Sequence, residues 1–186
     1  MTVQLPVVVQ VWLAIVVNTA AIYDLRFRRI PNWLALAGLV VGLAMNSLLF
    51  GLAGLQTSGL GLGLAFLIYF PLYLLRAMGA GDVKLMAAIG AIVGPGNWFA
   101  LFITTAILGG IVGVILLLFK GRIAKTFWNI GWIMHEMLHM RAPYKSSEEL
   151  DVRSDRAVRM PHGAVIALGS LLFLAGQAFW GKKPPF

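Results

Sequence analysis

A chain of 186 residues that is 60% apolar and only 12% charged, with a mean hydropathy of +0.86, has too little polar surface for a soluble globular domain. The formal net charge of +8 would suit a nucleic-acid ligand, but Lys and Arg fall between apolar runs rather than on one base-reading element. The absence of cysteine excludes disulfides, thiolate metal sites and a cysteine nucleophile.

The apolar residues come in runs near membrane-spanning length, about 17–25 residues each, without the alternation of a lipid-facing β-barrel. The expected class is an all-α integral membrane protein. It would be one domain over residues 1–186, with about six transmembrane helices and a larger cytoplasmic loop at 120–160. The first run, 4–23, has no basic n-region and is too long for an h-region, so it is read as a retained helix rather than a signal peptide. It ends at Asp24 in "AAIYDLRFRRIPNW". A second run covers 33–50, "GLAGLQTS" makes a turn, and a third run covers 59–75.

The stretch "RAMGAGDVKLM" then brings Asp82 to the edge of a fourth run, 83–95. That run gives only about 20 Å of helix against a hydrocarbon core of about 30 Å. It reaches full length only if its helix begins near Ala77 and carries Asp82 and Lys84 in its first turns. A "GPGN" turn at 94–97 leads to a fifth run, 98–119, and 161–180 is the last.

The loops sort by charge. Thirteen of the fifteen basic residues fall on one side of this layout, eight of them within 120–160, and only Lys182 and Lys183 fall on the other. The rich side is the cytoplasm by the positive-inside rule, which sends both termini outward. Within 120–160, "FWNIGWIMHEMLHM" places Phe127, Ile130, Ile133, Met134, Met137 and Leu138 at helical spacing, the pattern of an interfacial amphipathic helix. The following "YKSSEELDVRSDRAVR" reads as a solvated loop of mixed charge.

Of seven acidic residues, only Asp24 and Asp82 lie at the edges of membrane-length runs, and the layout puts both at the cytoplasmic level. An acid at a membrane edge can simply face water, and either one could pair with a nearby Arg or Lys. Two carboxylates within reach of one water, however, can hydrolyse an amide. Like charges that close do not both ionise, so one keeps its proton. The ionised member takes a proton from water, and the protonated member donates to the carbonyl oxygen. Neither a metal nor a cofactor is needed. Gly79 and Gly81, just before Asp82, carry no side chain and would let a substrate chain approach.

Asp24 followed by "IPN" at 30–32, then "GAGDVKLMAAIG" at 79–90, resembles the type IV prepilin peptidases, membrane aspartyl proteases of the G-x-G-D class. "PHGAVIALG" at 161–169 is similar to a third stretch of that family, usually P-Y-G-x-x-I-A-x-G. Length and layout fit the short form that serves tight-adherence (Flp-type) pili. The resemblance implies a catalytic dyad of Asp24 and Asp82. It also implies prepilin or pseudopilin substrates, whose short basic leader is cut off at the cytoplasmic face of the bacterial inner membrane. Pro31 is expected to set the start of the second helix, and Asn32 to cap or orient the Asp24 loop. Lys84 either tunes Asp82 or anchors its helix at the interface, and Arg26, Arg28 and Arg29 are topology determinants. His162 stands where the family usually has Tyr. The long-form members carry paired cysteines and also N-methylate the pilin, and this chain offers no basis for that second activity.

Two other readings come from the same residues. "HEMLH" at 135–139 matches H-E-x-x-H, which on a helix would hold Zn²⁺ through His135 and His139 with Glu136 as general base. A third ligand would have to come from His162, Glu148, Glu149 or Asp151. A non-enzymatic transport or assembly subunit, with Asp24 and Asp82 on an ion path, would explain the paired acids but not the three motifs.

Overall fold

The computed structural model describes residues 4–119, Gly121, Trp128, Gly131, Trp132, His135 and 161–180. Four helices carry them: α1 (Val7–Phe27), α2 (Asn32–Leu74), α3 (Ala80–Phe119) and α4 (His162–Trp180). Each is long and apolar enough to cross a membrane, and no strand occurs among the described residues. The chain is an all-α membrane protein.

The count of four departs from the expected six, and the reason is local. The stretches read as turns, 51–58 and 94–97, are helical at all but one residue each. In α2 the interruption is Gly51 (φ 61°, ψ −142°), and in α3 it is Gly94 (φ 75°, ψ 170°). Both conformations lie at positive φ, where a Cβ would clash, so glycine confines the whole break to one position. The break is nevertheless a reversal. Asn46 Nδ2 donates to Ser58 Oγ at 2.8 Å and Trp98 Nε1 donates to the Met86 carbonyl at 3.1 Å. Twelve residues of continuous helix would hold each pair about 18 Å apart. Each long helix therefore folds back on itself as two antiparallel legs, and Pro95 opens the second leg of α3 at a position where its missing N–H costs nothing.

The legs differ in their surroundings. In the first leg of α3, every residue from Val83 to Gly94 except Lys84 is buried. An apolar helix enclosed on all sides need not match the thickness of the bilayer, which explains how so short a leg is accommodated. Its neighbours approach through small residues, as membrane helices do. At Gly61 and Gly90 the two backbones meet so closely that a Cβ on either would overlap the other's carbonyl. A Cβ at Gly42 would lie 2.8 Å from Ile92 Cγ1. Leu13, Val16 and Val17 of α1 complete the core together with Ile166, Ala167 and Phe173 of α4. The second leg of α3, by contrast, exposes Ile103, Ile107, Ile111 and Leu118, as a lipid-facing helix should.

This topology brings the C-terminus of α1 and the N-termini of α2, α3 and α4 to one level. The expected amphipathic helix around 127–138, most of the 120–160 loop, and Glu136 and His139 of "HEMLH" lie outside the described residues.

Candidate active site

α1 stops where Arg28 takes the left-handed conformation (φ 54°) and donates its N–H to the Asp24 carbonyl at 2.9 Å. This cap fixes Asp24 in the last turn. Arg76, in the turn after α2, is the other non-glycine residue at positive φ among the described residues (φ 55°), and it precedes Asp82. Such a conformation costs a non-glycine residue about 1–2 kcal/mol, so each carboxylate sits beside a strained turn. Pro31 is extended (φ −69°, ψ 140°) and occupies the cap position of α2, one residue earlier than a first-turn proline. Tyr23 meets Trp33 edge-on with ring centroids 6.1 Å apart, which ties the end of α1 to the start of α2.

Asp82 lies in the first turn of α3 and accepts a hydrogen bond from the Gly79 backbone. Asp24 is buried, 8% exposed. Its carboxylate finds a partner in α4, where the Gly163 N–H donates to Oδ2 at 2.8 Å. A hydrogen bond from a helix N-terminus offsets part of the cost of burying that group. The two carboxylates stand close enough to act on each other electrostatically. Asp24 also acts on His162, and Asp82 on Tyr69.

The remaining residues singled out in the sequence cluster here, with roles that the pattern did not reveal. Lys84 Nζ donates to Asn32 Oδ1 at 2.9 Å, joining the "IPN" turn to the Asp82 turn. Asn32 therefore holds Lys84 and makes no side-chain cap of its own helix. A Cβ at Gly81 would meet Ile30 Cβ at 3.2 Å, and one at Gly79 would meet Asp82 Oδ2 at 3.3 Å. The space left by Gly81 is filled by the protein's own "IPN" turn, so this glycine serves packing between the two motifs. Beside Lys84 and Asn32 an apolar groove of about 700 Å³ opens between both legs of α2 and the first leg of α3, lined by Trp33, Leu36, Leu39, Phe66, Val83 and Ala87.

Two contributors escaped the reading of the sequence. Tyr69 is almost wholly buried and packs edge-on against Trp98 and Phe102, with centroids 6.1 Å and 5.9 Å away. Nothing in its local pattern distinguishes it from a core aromatic. Gly163 could have been suspected from the similarity of "PHGAVIALG" to a family stretch, but its partner could not. No group of three or more His, Asp or Glu side chains able to hold a metal occurs among the described residues.

A model of the type IV leader peptidase family matches residues 11–114, which include Asp24, the "IPN" turn and Asp82 but not α4. No curated protein and no solved structure matches significantly.

Proposed function

The chain belongs to the type IV leader peptidase family, and on that premise we propose that it is an aspartyl endopeptidase that removes the short basic leader of prepilins, those of tight-adherence (Flp) pili in particular. Family membership makes it a protease of prepilins, set in a membrane by its apolar helices. The aspartyl mechanism is our reading of one observation: Asp24 and Asp82, from separate helices, converge at one end of the bundle within electrostatic reach of each other.

In this reading one carboxylate is ionised and one protonated. The ionised member draws a proton from a shared water, whose oxygen attacks the scissile carbonyl. The protonated member donates to the carbonyl oxygen, and protons then pass to the departing amine. The proton count belongs to the pair. Lys84 and Asn32 brace the turns that carry the two acids, with Pro31, Gly79 and Gly81 shaping those turns. The folded-back legs of α2 and α3 each cross the bilayer, which gives six crossings with α1 and α4. The carboxylate end faces the cytoplasm, because thirteen of fifteen basic residues belong to that side, and both termini face outward in the bacterial inner membrane.

The test is a gel-shift cleavage assay on a co-expressed pilin precursor, comparing wild type, Asp82→Asn and Glu136→Gln at matched membrane levels. Loss of processing in Asp82→Asn alone is the expected result. Loss in Glu136→Gln alone would replace the dyad with a zinc mechanism built on His135, Glu136 and His139. Intact processing in both variants would leave neither mechanism standing.

A further inference from the structure

α4 begins at His162, well outside the stretch that the family model matches, yet its first turn is built against Asp24. The N–H groups of a helix's first turn have no partner within their own helix. That of Gly163 donates to Asp24 Oδ2 at 2.8 Å in buried surroundings. The same residue leaves no space for a side chain. A Cβ at position 163 would stand 2.9 Å from Asp24 Cβ, 3.0 Å from Oδ2 and 3.1 Å from Cγ. Asp24 has little means of retreat, since its backbone carbonyl is tied to the Arg28 N–H that ends α1.

The other α4 glycines make a useful contrast. At Gly169 a Cβ would overlap Thr105 Oγ1, a packing contact with the second leg of α3, and at Gly176 it would meet open space.

We infer that Gly163 is a positioning residue for peptide cleavage, its N–H and its missing side chain together holding the Asp24 carboxylate in place beside Asp82. This rests on the reading of Asp24 as catalytic. Oδ2 is committed to the Gly163 N–H, so proton exchange with water falls to Oδ1. α4 is thereby part of the active site, supplying orientation and no reacting atom. A reacting group displaced by about 1 Å can cost about 100-fold in rate, so one added methyl group here acts on turnover more than on substrate binding.

The experiment measures cleavage of a purified pilin precursor by the full-length enzyme in detergent, as wild type, Asp24→Asn, Gly163→Ala and Gly176→Ala. Gly163→Ala is expected to lower kcat by about tenfold or more with KM little changed, while Gly176→Ala matches wild type and Asp24→Asn is inactive. A normal kcat in Gly163→Ala beside an inactive Asp24→Asn overturns the inference and leaves the dyad intact. An active Asp24→Asn removes the dyad and the inference with it.

Thermal unfolding gives a readout independent of catalysis. Gly163→Ala should lower the melting temperature in the wild-type background and do so by less than half as much in an Asp24→Gly background, where the Cβ, Cγ and Oδ2 that crowd position 163 are all gone. Equal losses in the two backgrounds overturn the inference. Should Gly163→Ala alone fail to accumulate, recovery of the double variant to the level of Asp24→Gly supports the contact, and failure of the double variant beside a stable Asp24→Gly overturns it.

Discussion

At one end of the bundle the polar side chains are buried amides and a hydroxyl; at the other they are two carboxyl groups, Asp24 buried and Asp82 half-buried. At the amide end, Asn46 Nδ2 lies within hydrogen-bond distance of Ser58 Oγ (2.8 Å) and of the Ala91 and Ile92 carbonyls (3.1 and 3.0 Å), where the first leg of α3 gives out. Gln177 of α4 accepts the Leu5 N–H at 3.1 Å and reaches Asn97 at 3.4 Å, around a cavity of about 440 Å³ lined by Asn46, Thr57 and Asn97 among others. These groups are neutral and share donors with acceptors, so they close the reversals and hold their shape. At the carboxylate end two acids lie within electrostatic reach of each other, and the N–H of a helix start supplies a donor, as Gly163 does for Asp24. Neutral pairing gives a joint; in the mechanism proposed above, the paired acids hold a proton that they can exchange.

That contrast can be broken from either side, and the largest effect belongs to the acids. Asp82→Asn or Asp24→Asn should lower cleavage by about 10³-fold or more, the scale of a lost general acid or base. The melting temperature in detergent should stay level or rise, because an acid in a partly desolvated site is replaced by a neutral amide of the same shape; a fall would mark the acids as structural. Gly163→Ala comes next, with its loss of about tenfold or more in kcat.

At the amide end the sign of the comparison reverses. Asn46→Ala should cost about 1–2 kcal/mol of stability, the scale of hydrogen bonds buried between membrane helices, and leave kcat per folded molecule unchanged. Unfolding curves and turnover measured on one preparation check both halves of that statement. The smallest effect is expected at Lys84→Gln. The exposed bond to Asn32 Oδ1 can be replaced by an amide, so stability should move by no more than about 0.5 kcal/mol. Cleavage should stay within about threefold of wild type if Lys84 braces the turn, and a deeper loss would assign it a direct electrostatic role at Asp82.

Much of this was legible in the chain because it depends on short-range properties. Apolar run length fixes which segments can enter a bilayer, and the asymmetry of Lys and Arg supports one orientation. The motifs around Asp24 and Asp82 marked the two acids before their proximity was seen. The boundaries around 51–58 and 94–97 were less legible, since glycine and proline signal a break without saying how many residues it takes. Gly51 and Gly94 each do it alone, and the rest of both stretches stays helical.

What the sequence by itself determined is therefore an all-helical membrane chain with two acids at matching helix ends, since hydropathy, charge and helix period are read along neighbouring residues. What only the tertiary structure decided is which distant groups meet: Gly163 on Asp24, Asn32 on Lys84, Gly61 on Gly90, and the enclosure of the first leg of α3. No local periodicity encodes these contacts. They arise when helices pack at backbone distance and the unpaired N–H groups of one helix start meet the carboxylate that ends another.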